Sequence, residues 1–130
     1  MAITYTYDQS ENLLLTEAKS DISIQELLIY AKNVSDDQSI KSGFIEIVDL
    51  SEVTDLHISY SSARTLTNGW DKWKHKNHKG SIMYAPTDVA FGILRMMQAL
   101  TEMEPGSEEI PHLVTRNKDD IPELIRKIKT

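Results

Sequence analysis

Residues 45–62 read IEIVDLSEVTDLHISYSS, and the fold turns on how this stretch is divided. With Phe44 in front, FIEIVDL is rich in β-formers and nearly continuous in apolar character. That pattern predicts a central strand over Phe44–Leu50, covered on both faces. From Ser51 the polarity rises, so SEVTDLHISYSS predicts a loop that hands the chain to a helix. That helix is expected from about Ser61 to His75, with Ala63, Leu66, Trp70 and Trp73 on one stripe. Gly69 interrupts it and weakens it by about 1 kcal/mol relative to alanine.

Downstream, SIMYA (Ser81–Ala85) predicts the next strand. Pro86 ends it, and Thr87 or Asp88 caps a third helix through FGILRMMQALTEM. The loop EPGSEEIP leads to a short strand, HLVTR. Asp120 then caps a last helix, with Pro122 in its first turn. Upstream, Ile3–Tyr7 alternates as a strand does, DQSEN supplies turn residues, and LLLTEA (Leu13–Ala18) returns as a second strand. Ser23 and Glu26 fit a capping box. Ile24, Leu27, Leu28, Ala31 and Val34 follow at helical spacing. The order ββαβαβαβα predicts a single α/β domain over residues 1–130, with a mixed, mostly parallel sheet opened by an antiparallel hairpin.

With 130 residues, 40% hydrophobic and 26% charged, the chain can bury one core unaided. It has no cysteine, which excludes disulfides, thiolate metal sites and cysteine nucleophiles. MAITYTYDQS has neither the basic nor the apolar region of a signal peptide, and no apolar run approaches a membrane span. The expected location is cytoplasmic. A net charge of −6 disfavours nucleic acid as a partner. Four lysines against one aspartate make Trp70–Lys79 a local +3, most simply read as a solvated helix end.

In an open α/β sheet, ligands favour the crevice beyond the carboxyl ends of the parallel strands. The loops after the central strand and after SIMYA meet there, each leading into a helix. Asp49, Ser51, Asp55, His57, Ser59 and Asp88 are the expected neighbours, and capping is the simplest role for their oxygens. Asp55, His57 and Ser59 alternate too closely in sequence to assemble as a triad. His75 and His78 have helical i, i+3 spacing but no third ligand type beside them, so no metal or other cofactor is expected and both should be exposed. Met83, Phe91, Met96, Met97 and Met103 suit core packing, or a pocket in which Arg95 orients an anionic head group.

IVDLSEVTDLHIS resembles the segment of anti-sigma-factor antagonists and STAS domains in which a strand ending in D-L-S-x-V leads to a serine-bearing loop. Within their D-S-S-G pattern, His57 stands for the aspartate, Ile58 for the first serine, Ser59 for the phosphorylated acceptor and Tyr60 for the glycine. Only the acceptor is kept. APTDVAFGILRMMQAL is similar to the A-P-x-D-x-A-F-G-x-x-R-M run of small bacterial SpoIIAA-like proteins, through Ala85, Pro86, Asp88, Ala90, Phe91, Gly92, Arg95 and Met96. The resemblance implies a STAS fold over most of the chain and a non-enzymatic binding or regulatory module. Together with the sheet-edge reading, the expected site is Asp49, Asp55, His57, Ser59, Asp88 and Arg95, for a protein partner or a small anionic, lipid-like ligand, with self-association left open. An uncharacterised enzyme using the same edge is the alternative.

Overall fold

A computed structural model describes residues 2–57, 71–102 and 111–130. The chain opens with β1 (Ile3–Asp8) and β2 (Leu13–Ser23), then α1 (Ile24–Asp36) and β3 (Ile45–His57). A 3-10 segment, Asp71–Lys76, precedes β4 (Gly80–Tyr84), α2 (Asp88–Glu102) and β5 (His112–Thr115). A short 3-10 turn, Lys118–Asp120, runs into α3 (Ile121–Lys129). The five strands form one sheet in the order β1-β2-β3-β4-β5. The β1–β2 pair is antiparallel and the other three pairs are parallel, as the alternation of strands and helices predicts.

Local signals set the element starts. Ser23 caps α1, its hydroxyl accepting from Glu26 N–H at 3.2 Å and donating to the Glu26 carboxylate at 3.2 Å. Thr87, not Asp88, caps α2: its hydroxyl accepts from Ala90 N–H at 3.1 Å. Asp120 makes no side-chain cap to α3. Asn117 caps the preceding 3-10 turn instead, accepting from Asp119 N–H. Residues 71–76, expected to close an α-helix, are a 3-10 segment. The rest of that expected helix, residues 61–70, lies outside the described residues, as does Trp70.

The largest departure is β3. Its expected end at Leu50 is overrun by seven residues, because Glu52–His57 pair with Lys19–Ser23 of β2. Neither segment looks like a strand alone; each supplies the other's ladder. Two register shifts give β3 an extra residue each, and Ser20 takes a left-handed φ of 62° at the second. Ile22 and Val53, both buried, anchor this extension to the core.

One face of the sheet carries α1 and α2. Beneath them lie Leu14, Ala18, Ala31, Val34, Phe44 and Trp73 in one cluster, and Val48, Met83, Ala85, Ala90 and Leu94 in a second. Trp73 is fully buried and donates its indole N–H to Ala31 O at 2.8 Å. The other face receives α3 above β4. There Gly80 leaves room for Ile128, whose Cδ1 would sit 3.0 Å from a Cβ at that position.

Candidate functional site

The strand ladders show how the expected site residues are distributed. Glu17, Asp49, Tyr84 and Thr115 are successive register partners across β2, β3, β4 and β5, so Asp49 lies level with the carboxyl ends of β4 and β5. Its carboxylate accepts from Ser51 N–H at 2.9 Å. Beyond that level, β2 and β3 continue as a two-stranded arm, with β1 and β4 left behind. Asp55 and His57 therefore stand on a strand and not on a loop. They lie well out along the arm, on the order of 20 Å from Asp49 at a strand's rise.

At the tip of the arm, His57 meets two carboxylates. Its Nε2 is 3.8 Å from Asp21 and 3.8 Å from Asp55, all three more than half exposed. Asp21 also accepts from the Thr54 hydroxyl at 2.9 Å. Nearer the sheet, Lys19 lies 3.5 Å from Glu52 and 4.0 Å from Glu17. The arm is polar along its outer surface and tied down by Ile22 and Val53 within. Ser59 follows His57 by two residues and lies outside the described residues.

Asp88 belongs to a different group. Arg116, just past β5, donates to Asp88 at 2.6 Å and to Pro86 O at 3.0 Å, with its guanidinium 5.0 Å from the centre of the Phe91 ring. This clamp fastens the end of β5 to the start of α2. The signal for Arg116 in the sequence was no more than a cation at the end of the expected strand HLVTR. Arg95 lies two helical turns further along α2, exposed and bonded to Gln98 at 3.2 Å. The expected residues thus fall into separate groups: Asp49 at the sheet edge, Asp55 and His57 on the arm, Asp88 with Arg116, and Arg95 apart.

A second polar assembly lies inside the core, where sequence reading expected none. Glu46 is fully buried on β3 and accepts from Tyr30 OH at 2.5 Å and from Ser81 OH at 2.7 Å. Tyr30 OH in turn shares a hydrogen with the Thr16 hydroxyl at 2.7 Å. Ser81 Oγ lies 3.0 Å from His78 Nε2, which also contacts Gly80 O at 2.8 Å. His78 is therefore buried, contrary to expectation, stacked on Phe44 with ring centroids 4.9 Å apart. Only His75 of that pair is exposed. Burial raises Glu46 above the usual carboxylate range, against the pull of its two hydroxyl donors. Burial, with His112 close by, pushes His78 down to about 4. The one early sign of this network was a glutamate inside an otherwise apolar strand. Its members Thr16, Tyr30, Glu46, His78 and Ser81 are all buried, which marks the network first as part of the core.

Among the described residues, no group of three or more histidine, aspartate or glutamate side chains is placed to hold a metal ion. No described helix is long and apolar enough to cross a membrane.

The architecture is that of the SpoIIAA-like, or STAS, fold. Two solved structures share it over nearly the whole chain. The anti-sigma factor antagonist SpoIIAA, in its unphosphorylated form, matches with a TM-score of 0.55 at 9% identity, covering 98% of each chain. An uncharacterised protein of the DUF3478 family from Shewanella loihica PV-4, described as having a SpoIIAA-like fold, matches with a TM-score of 0.58 at 15% identity, covering 95% of this chain and 93% of the other. No family model matches the sequence. No curated protein matches it either.

Proposed function

We propose that this chain is a non-enzymatic protein-docking module and that the arm formed by the ends of β2 and β3 is its docking edge. The observation that carries the reading is the gathering of Asp21, Asp55 and His57 at the tip of a two-stranded extension. Small-molecule sites are concave and enclose their ligands. A ridge of exposed side chains instead offers itself to another macromolecule. Among the described residues along it, the carboxylates of Glu17, Asp21, Glu52 and Asp55 outnumber the one lysine, Lys19, so the fitting partner presents a basic surface. Charge of one sign on a ridge steers association and sets which partner is accepted.

The fold adds an analogy. SpoIIAA is an anti-sigma factor antagonist, and a partner of the anti-sigma type is the corresponding expectation here. Fold alone does not transfer function, so the arm carries the argument.

The test is charge reversal on the arm. Tagged wild type, Asp21→Lys/Glu52→Lys and a distant control, Glu123→Lys on α3, are expressed in the native host, and co-purifying proteins are quantified by mass spectrometry. The expected result is a partner retained by wild type and control and depleted about tenfold or more by the arm variant. Equal recovery with all three would place docking elsewhere and sink the proposal.

A further inference from the structure

β1 is an edge strand without the usual protection. It pairs with β2 through six regular steps, Ile3↔Ala18 to Asp8↔Leu13, and among the described strands its other side is outermost. From Ile3 to Tyr7 it has no charge, no proline and no bulge. Edges are commonly blunted by just such features. One contact fixes which backbone groups face outward. Lys19 N–H donates to Ala2 O at 2.9 Å, which makes Ala2 and Lys19 a hydrogen-bonded pair. Such pairs alternate along an antiparallel ladder. The N–H and C=O groups of Ile3, Tyr5 and Tyr7 therefore point away from β2, toward the outer edge.

Both faces beside this edge are concave. A mostly apolar cleft of about 590 Å³ runs between β1 and α1, walled by Ile3, Tyr5, Ile29 and Tyr30. On the opposite face, a cleft of about 420 Å³ has Thr4, Thr6 and Leu15 at its β1 side and Glu17, Asp49 and Lys118 farther across the sheet. Among the described residues the exposed large hydrophobic side chains are Leu15, Ile29 and Val89. The first two border these clefts.

A strand added beside β1 would send alternate side chains into the two clefts. Next to β1 the first cleft offers Ile3 and Tyr5 and the second offers Thr4 and Thr6, which suits a strand that is apolar or aromatic at one parity and hydroxyl-bearing at the other. β1 itself reads that way, with Ile3, Tyr5 and Tyr7 alternating with Thr4 and Thr6. We propose that β1 pairs antiparallel with β1 of a second copy, about a two-fold axis perpendicular to the sheet, so that two five-stranded sheets become one. This axis keeps each sheet face continuous and sets the two α1 helices antiparallel across the seam. Ile29 then approaches Ile29 of the other copy. Glu26, which also lines the α1 cleft, falls opposite Asn33 rather than another carboxylate. At full overlap Thr4 faces Thr6 in a non-hydrogen-bonded position, where side chains stand closest. The net charge of −6 opposes self-association, and this neutral edge is where that repulsion is weak.

Sedimentation velocity across a concentration series tests the pairing, on wild type and on Thr4→Lys/Thr6→Lys. Both threonines are exposed, so the lysines should leave the circular dichroism spectrum unchanged. The expected result is a wild-type dimer whose dissociation constant rises by about tenfold or more in the variant. Because the chain has no cysteine, Thr4→Cys mixed with Thr6→Cys in a glutathione redox buffer then reads the register. A mixed disulfide should form in preference to either like pair. A wild type that stays monomeric at its highest soluble concentration overturns the proposal. So does a dimer indifferent to the lysines, or one that cross-links through Val89→Cys and not through the threonines.

Discussion

Tyr30 on α1 donates its phenolic hydrogen to Glu46 on β3 at 2.5 Å, with both groups sealed in the core. No cation compensates the carboxyl within this network; hydroxyls do. Thr16, Tyr30, Ser81 and His78 thereby tie β2, α1, the start of β4 and the segment before it to one central acid. A buried polar network of this kind is costly when any member is lost.

Tyr30→Phe deletes the shortest link while keeping the ring that packs edge-on against Trp73. It leaves Glu46 one donor short and Thr16 without its phenol partner, which should cost about 1–3 kcal/mol. Urea unfolding of Tyr30→Phe, Glu46→Gln and the double variant measures this. A coupling above about 0.5 kcal/mol is expected for residues in direct contact; strict additivity would contradict the network.

Acid should destabilise the fold through His78. Its folded form stays neutral down to about 4, whereas its ordinary value is 6.5. The unfolded chain thus takes up the proton first, and stability present above 6.5 is lost as pH falls toward 4, by up to about 3 kcal/mol. Glu46 works the other way. Its raised folded value means that it contributes stability below its ordinary 4.5, and that this contribution is lost as pH rises. Melting curves between pH 4 and 7 should show a flatter acid limb for His78→Gln and a steeper one for Glu46→Gln.

Thr87 and Asp88 separate capping from pairing at the start of α2. Thr87→Ala removes the hydroxyl that accepts from Ala90 N–H and should cost about 1 kcal/mol, a drop of several degrees in melting temperature. Asp88→Asn weakens only an exposed pair with Arg116 and should cost less, since such pairs contribute little. The reverse ranking would make Asp88 the effective cap.

Gly80→Ala tests the seat of α3. A Cβ there would lie 3.0 Å and 3.1 Å from two Ile128 carbons and 3.1 Å from Pro111 O. Overpacking of this sort costs about 1–3 kcal/mol. Ile128→Val in the same chain should recover part of the loss, and hydrogen exchange should rise first in α3. A neutral Gly80→Ala would show that the helix shifts freely.

Where signals are local, the sequence was a sound guide. The hairpin, the Ser23 cap with Glu26, the breaks at Pro86 and the parallel order of β2 to β5 all follow from nearest-neighbour chemistry and hydrophobic period. The arm did not, because KSDIS and EVTDLH are each too polar to read as strands. They become one ladder only when brought side by side from more than 30 residues apart. The candidate site was legible as residue types near a sheet edge, but its division among the edge, the arm and the Arg116 clamp depends on where that ladder stops.

By itself, then, the sequence determined the order of the strands and the class of fold, since caps, turns and apolar periods act within a few residues. Tertiary structure alone decided the burial of Glu46 and His78. A glutamate in a strand and a histidine among lysines carry no mark of the interior. Their environment is made by Tyr30 and Ser81 reaching Glu46, and Phe44 reaching His78, from distant parts of the chain. Desolvation is a property of the assembled packing, and no window of sequence contains it.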